Sequence, residues 1–113
     1  MYRDHEHWIL RVDVYGTPEG FLLYIEVPGV ELEDIELEVT PLTVSVRGER
    51  KPPCRSATAL GIEIQTGEFH REIRLPARVD TSDVSAELRS GVLVVGLTRK
   101  KPVTVTIPVK SKG

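Results

Sequence analysis

Cysteine is nearly absent from this chain. Its 113 residues include one, Cys54, so no internal disulfide forms, and neither a cysteine-rich secreted scaffold nor a CxxC zinc module fits. A bridge between two molecules is all that Cys54 could supply. Long apolar runs are missing too: Phe21–Ile25 and Val92–Val95 are the longest, far short of the ~20 residues that cross a bilayer. The first residues, Met1 to His7, hold no apolar signal core, and the expectation is a cytoplasmic protein with no membrane contact. There is no basic surplus, since 15 Lys and Arg face 17 Asp and Glu for a net charge of -2, which argues against a nucleic-acid partner. The length supports one hydrophobic core and excludes two domains.

Assembled chemistry is also lacking. No nucleophile with a base, and no carboxylate pair, stands at a recognisable catalytic spacing. No G-x-x-x-x-G-K-[ST] loop is present to cradle phosphates, so no ATP-driven mechanism has a site. The chain is not expected to be an enzyme or to carry a cofactor. His5, His7 and Cys54 lack a fourth zinc ligand, and no metal is expected. Glu31, Glu33, Asp34, Glu36 and Glu38 could form a calcium or partner patch, but their simplest reading is the solvated face of a strand.

Helical periodicity is absent over any stretch of ten or more residues. What is abundant is β-branching: Val, Ile and Thr make up 31 of the 113 residues, the type that suits a half-buried pleated surface. Alternation follows. Phe21, Leu23, Ile25 and Val27 share a face until Pro28-Gly29; Ile35, Leu37 and Val39, then Leu42, Val44 and Val46, flank a tight turn at Thr40-Pro41. A polar loop from Gly48 to about Gly61 leads to a brief alternating piece at Ile62 and Ile64. Phe69, Arg71, Ile73 and Leu75 share the next face, which places Arg71 among apolar residues. Val84, Ala86 and Leu88 precede a two-residue turn at Ser90-Gly91, and Val92 to Leu97 is apolar on both faces, as if covered on both sides. In the tail, Val103, Val105, Ile107 and Val109 alternate, but Pro108 restricts them to an edge strand or a detachable one. The pattern is all-β: an antiparallel immunoglobulin-like β-sandwich of about seven or eight strands.

Several of these segments resemble a known family. Gly67-Glu68-Phe69-His70-Arg71-Glu72-Ile73-Arg74-Leu75-Pro76 is similar to the G-x-F-x-R-x-F-x-L-P strand of small heat-shock proteins, and Ala86 to Leu93 to their A-x-x-x-x-G-V-L signature. Val12 to Tyr15, Val27 to Val30 and Leu42 to Arg50 resemble earlier parts of the same α-crystallin domain, and Ile107-Pro108-Val109 the C-terminal I-x-I/V motif. Residues 1–11 then read as a short N-terminal arm, 12–100 as the sandwich and 101–113 as the tail. Three departures stand out: Ile73 replaces the usual Phe, Gly96-Leu97-Thr98-Arg99 replaces the x-V-P-K strand ending, and eleven residues precede Val12 where the family carries a longer arm.

The resemblance implies an ATP-independent holdase that binds non-native client proteins and suppresses their aggregation. The competing expectation is a sandwich interaction or co-chaperone module that binds one folded partner. The family pattern further implies a homodimer formed through the Gly48 to Gly67 segment with Ile62 and Ile64. Arg71 is either an ion pair across that interface or an arginine whose stem covers apolar neighbours. Ile107 and Val109 would dock into a groove between the sheets of another subunit, lined by Leu37 and Val39 on one side and by Leu88, Leu93 and Val95 on the other. The alternative is that Val103 to Val109 adds a strand to its own sandwich. Trp8, Ile9 and Leu10, an apolar cluster before the first strand, are expected to be mobile and client-facing, or else to pad the sandwich edge.

Overall fold

Alternation and turn chemistry together produce seven strands in the computed structural model, which describes residues 8–102 and 104–113. They are β1 (Val12–Gly16), β2 (Gly20–Glu26), β3 (Ile35–Val39), β4 (Thr43–Arg50), β5 (Gly67–Arg74), β6 (Val79–Arg89) and β7 (Val92–Arg99). A 3-10 turn, Leu32–Asp34, leads into β3. One sheet has the order β1-β2-β7-β6 and the other β3-β4-β5, and every pairing is antiparallel.

Three turns set the register. At the end of β2, Pro28-Gly29 closes a turn in which the Val30 N–H donates to the Val27 carbonyl at 3.1 Å. Between β3 and β4, the Thr40 hydroxyl accepts from the Thr43 N–H at 3.0 Å while the Thr40 N–H donates to the Thr43 carbonyl at 2.9 Å. Between β6 and β7, Ser90 and Gly91 take φ values of 46° and 81°, the paired left-handed conformations that match a two-residue hairpin to the twist of its strands. A one-residue slip would turn each apolar set to solvent.

The core lies between the sheets. Phe21 faces Leu97, Leu23 faces Val95 and Ile25 faces Leu93 across β2 and β7, all six buried. From the other sheet come Val44, Val46, Phe69 and Ile73, joined by Leu10, Val27, Val30, Leu75 and Val79. The outer face of β7 differs from the expected double cover: Val92 and Val94 are half-buried, shielded by flanking β2 and β6 rather than by another layer.

One edge of the sandwich is closed by the chain itself. The Trp8 N–H donates to the Glu68 carbonyl at 3.0 Å on the β5 side, and the Glu26 N–H donates to the Arg11 carbonyl at 3.0 Å on the β1–β2 side. Residues 8–11 therefore bridge the β5 edge of one sheet to the β1 edge of the other. The remaining edges, β3 and β6, lie together at the opposite side. Consistent with this, the Val79 N–H at the start of β6 reaches the Pro41 carbonyl in the β3–β4 turn at 2.8 Å.

Two alternating segments form no strand within the chain. Ile62 and Ile64 lie in the irregular segment 51–66, and the described residues of the tail, 100–102 and 104–113, carry no strand. Pro102 and Pro108 remove two backbone donors from the tail, while among the described residues the outer edge of β1, which pairs only with β2, stays unpaired. Val103, and His5 and His7 from the zinc consideration, lie outside the described residues. Among the described residues no helix is long and apolar enough to cross a membrane.

Candidate functional site

The edge strands β3 and β6 carry half-buried apolar side chains. β3 presents Ile35, Leu37 and Val39 and β6 presents Val84 and Leu88, all half-buried against the core and none completed by a neighbour. They lie on the core-facing side of the two edge strands. Leu93 and Val95, assigned to the docking groove from the sequence, are 4% and 0% exposed. Alternation placed them on the inward face, but β7 is flanked by β2 and β6, so both lie within the core rather than at an edge. The acidic residues beside β3 are an ion-paired, solvated face: Arg47 Nε donates to Glu36 Oε1 at 2.8 Å, and Lys51 Nζ lies 3.1 Å from Asp34 Oδ1. The Arg47 guanidinium holds the Glu36 carboxyl below its usual range, chiefly by hydrogen bonding. Among the described residues no cluster of three or more His, Cys, Asp or Glu could hold a metal ion.

The second element is the loop 51–66, exposed almost throughout. Ile62 and Ile64 are 68% and 62% exposed there. Cys54 is exposed as well, and hydrogen bonds from Ser56, its backbone N–H first, hold the thiol below its ordinary pKa. Arg71 sits on the inner face of β5 opposite Val46, and its guanidinium escapes at the edge to donate to the Leu10 carbonyl at 2.8 Å. That bond ties the N-terminal segment to β5 within one subunit.

The third element is the tail, in which Ile107 and Val109 are 69% and 94% exposed. Its departure point is firm, because the Lys100 N–H donates to the Arg78 carbonyl at 2.9 Å and the Arg99 guanidinium donates to the Thr17 carbonyl at 3.1 Å. The N-terminal cluster divides. Leu10, expected to be mobile and client-facing, is buried in the core, because residues 8–11 close the β1–β5 edge. Trp8 is half-buried edge-on against Phe69 at 5.4 Å between centroids. Only Ile9 of the three points outward, 76% exposed.

With this geometry the chain can be compared with known proteins. The family model of the Hsp20/alpha crystallin family matches residues 13–110. The chain belongs to that family. It is 30% identical over 102 residues to the "Probable 15 kDa heat shock protein" of Leptospira interrogans, covering 90% of this chain and 78% of that one. It is 36% identical over 104 residues to the "22.0 kDa heat shock protein" of Arabidopsis thaliana, covering 87% of this chain and 52% of the relative. The chain thus spans about half the length of that plant relative. Among solved structures, a small heat-shock protein from Xylella fastidiosa, described as having a distinct high order structure, superposes with a TM-score of 0.74 at 32% identity, over 93% of this chain and 98% of that one. Hsp20 membership supports a chaperone role in general terms.

Within the Hsp20 pattern, the sequence motifs mark β5, the β6–β7 hairpin and the tail. Arg50, which ends β4, was not singled out from sequence. Its signal was present only as one more basic residue in an alternating strand; its partners come from three distant segments.

Proposed function

We propose that this protein is an ATP-independent holdase of the cytoplasm, acting as a homodimer that binds non-native client proteins and slows their aggregation. It needs no cofactor and performs no catalysis. The observation that carries this reading is the half-buried apolar surface of Ile35, Leu37, Val39, Val84 and Leu88 on the edge strands β3 and β6, beyond which no strand pairs among the described residues. A surface that binds unfolded chains competes by mass action with their self-association and requires no energy input. The tail offers the matching ligand: Ile107 and Val109 two residues apart, with Lys100, Lys101, Lys110 and Lys112 around them to face the acidic β3 side. Tail and client then compete for Leu37, Val39, Val84 and Leu88.

Light scattering of a heat-aggregating client tests the reading. An equimolar amount of this protein should suppress the scattering equally with and without ATP. Unchanged client aggregation at a several-fold molar excess would leave the protein a docking module for a folded partner instead.

Dimerisation is assigned to the loop, where Ile62 and Ile64 can add a strand to the exposed edge of a second copy's sheet, with Arg71 near the junction. Deleting residues 52–60 should convert the dimer to monomer in multi-angle light scattering while the circular dichroism of the sandwich persists. A dimer that survives the deletion would place the interface elsewhere.

A further inference from the structure

Three segments far apart in sequence meet on one side chain. Arg50 lays its guanidinium over the Trp8 ring, 3.9 Å from the centroid. Its Nε donates to the Gln65 carbonyl at 2.8 Å, and Nη2 donates to the same oxygen. Its Nη1 donates to the Pro28 carbonyl at 3.0 Å, in the turn that ends β2. Both the face and the edge of the guanidinium are therefore in use. Gln65 lies where the loop 51–66 enters β5, and Trp8 lies where the N-terminal segment meets the sandwich.

The chemistry of arginine makes these contacts interdependent. A guanidinium is planar, with its donors in a fixed fork, so turning its edge to follow a displaced carbonyl also tilts the face that covers the indole. A lysine ammonium could follow one partner while leaving the others.

We propose that Arg50 is a positioning residue that couples the segment at Trp8 to the base of the 51–66 loop, so that release of one loosens the other. Its consequence for chaperoning rests on the holdase reading: a loop withdrawn from a partner subunit uncovers Trp8 beside the exposed Ile9 and enlarges the client surface. The coupling itself is a property of the free chain and needs no client.

Hydrogen exchange read by mass spectrometry on the full chain tests it, with wild type compared to Arg50→Met, Arg50→Lys, Trp8→Leu and the double variant. Arg50→Met should speed exchange together in peptides spanning residues 8–11, 27–31 and 61–67. The expected change is about tenfold, equivalent to about 1.4 kcal/mol of local stability. Residues 43–48 and 69–74 should stay protected. Arg50→Lys should loosen the same three segments to a smaller extent. Trp8→Leu should speed exchange at 61–67, and the double variant should exchange there no faster than Arg50→Met alone. Loosening confined to one segment, or additive effects in the double variant, would overturn the coupling. If Trp8→Leu fails to fold, the two Arg50 variants decide the matter by whether the three segments move together. Client suppression measured on the same samples judges the holdase reading separately: its failure with three-segment loosening intact sinks that reading and leaves the coupling standing.

Discussion

Replacing Gly48 by alanine is expected to lower the melting temperature by roughly 10–20 °C, the effect of about 2–3 kcal/mol of overpacking on a domain this size. A Cβ at position 48 would lie 1.9 Å from the Asp34 carbonyl oxygen and 2.8 Å from Cζ of Phe69. The first contact is with backbone, so the chain entering β3 must shift outward. The second is with a ring that is 2% exposed and packed against Trp8, so it has nowhere to retreat. Because Gly48 pairs with Ile35 on one side and Phe69 on the other, the same methyl disturbs both neighbours of β4. Gly61→Ala is the matched control, since nothing lies within 4 Å of its Cβ position. Thermal unfolding followed by circular dichroism should separate the two variants clearly. Equal midpoints would mean that the β3–β4–β5 sheet yields at that point without cost.

Replacing Ile107 and Val109 together by alanine should have the opposite signature, a large loss of assembly with little loss of fold. Both side chains are exposed and in no strand, so the midpoint measured at low protein concentration should move by no more than about 2–4 °C, the range of an ordinary surface change. Assembly is more sensitive. Burying such an Ile and Val contributes roughly 1.5–3 kcal/mol each, against about 1–2 kcal/mol for each residue of tail that becomes fixed. The surplus for one tail is at most about 3 kcal/mol, weaker than the ~4 kcal/mol that corresponds to millimolar binding. Two tails on one dimer multiply the effect through effective concentration, and removal of the anchors should leave the dimer as the largest species in light scattering. A marked drop in midpoint with unchanged mass would mean that the tail belongs to its own sandwich, and the proposed competition between tail and client would be lost.

The loop deletion and the tail variant act on different assembly steps. Deleting residues 52–60 removes the dimer itself, whereas the tail variant preserves the dimer and removes what is built from it. Combining them should yield a folded monomer. The apolar surface of Leu37 and Val39 on β3 and of Val84 and Leu88 on β6 should remain available in that monomer, because no part of it comes from the loop or the tail.

The turn positions and the inward faces of β2, β3, β4 and β5 were determined by the sequence alone, because a period of two is local and each turn carries its own chemistry. Thr40-Pro41, Ser90-Gly91 and Pro28-Gly29 stand where the chain reverses, and Phe21, Leu23, Ile25, Val44, Val46, Phe69 and Ile73 are buried as their alternation requires. The site was legible only in part. Leu37, Val39 and Leu88 sit half-buried on the edge strands, but Leu93 and Val95 share their face and are sealed, since lateral order in a sheet decides which inward residue reaches solvent. That order depends on pairings between strands distant in sequence. For the same reason, only the tertiary structure could show that Leu10 enters the core and that Arg71 holds its carbonyl. Arg50, gathering Trp8, Pro28 and Gln65, follows the same rule: these contacts are set by the meeting of the two sheets at the ends of β2 and β4, not by the spacing of residues along the chain.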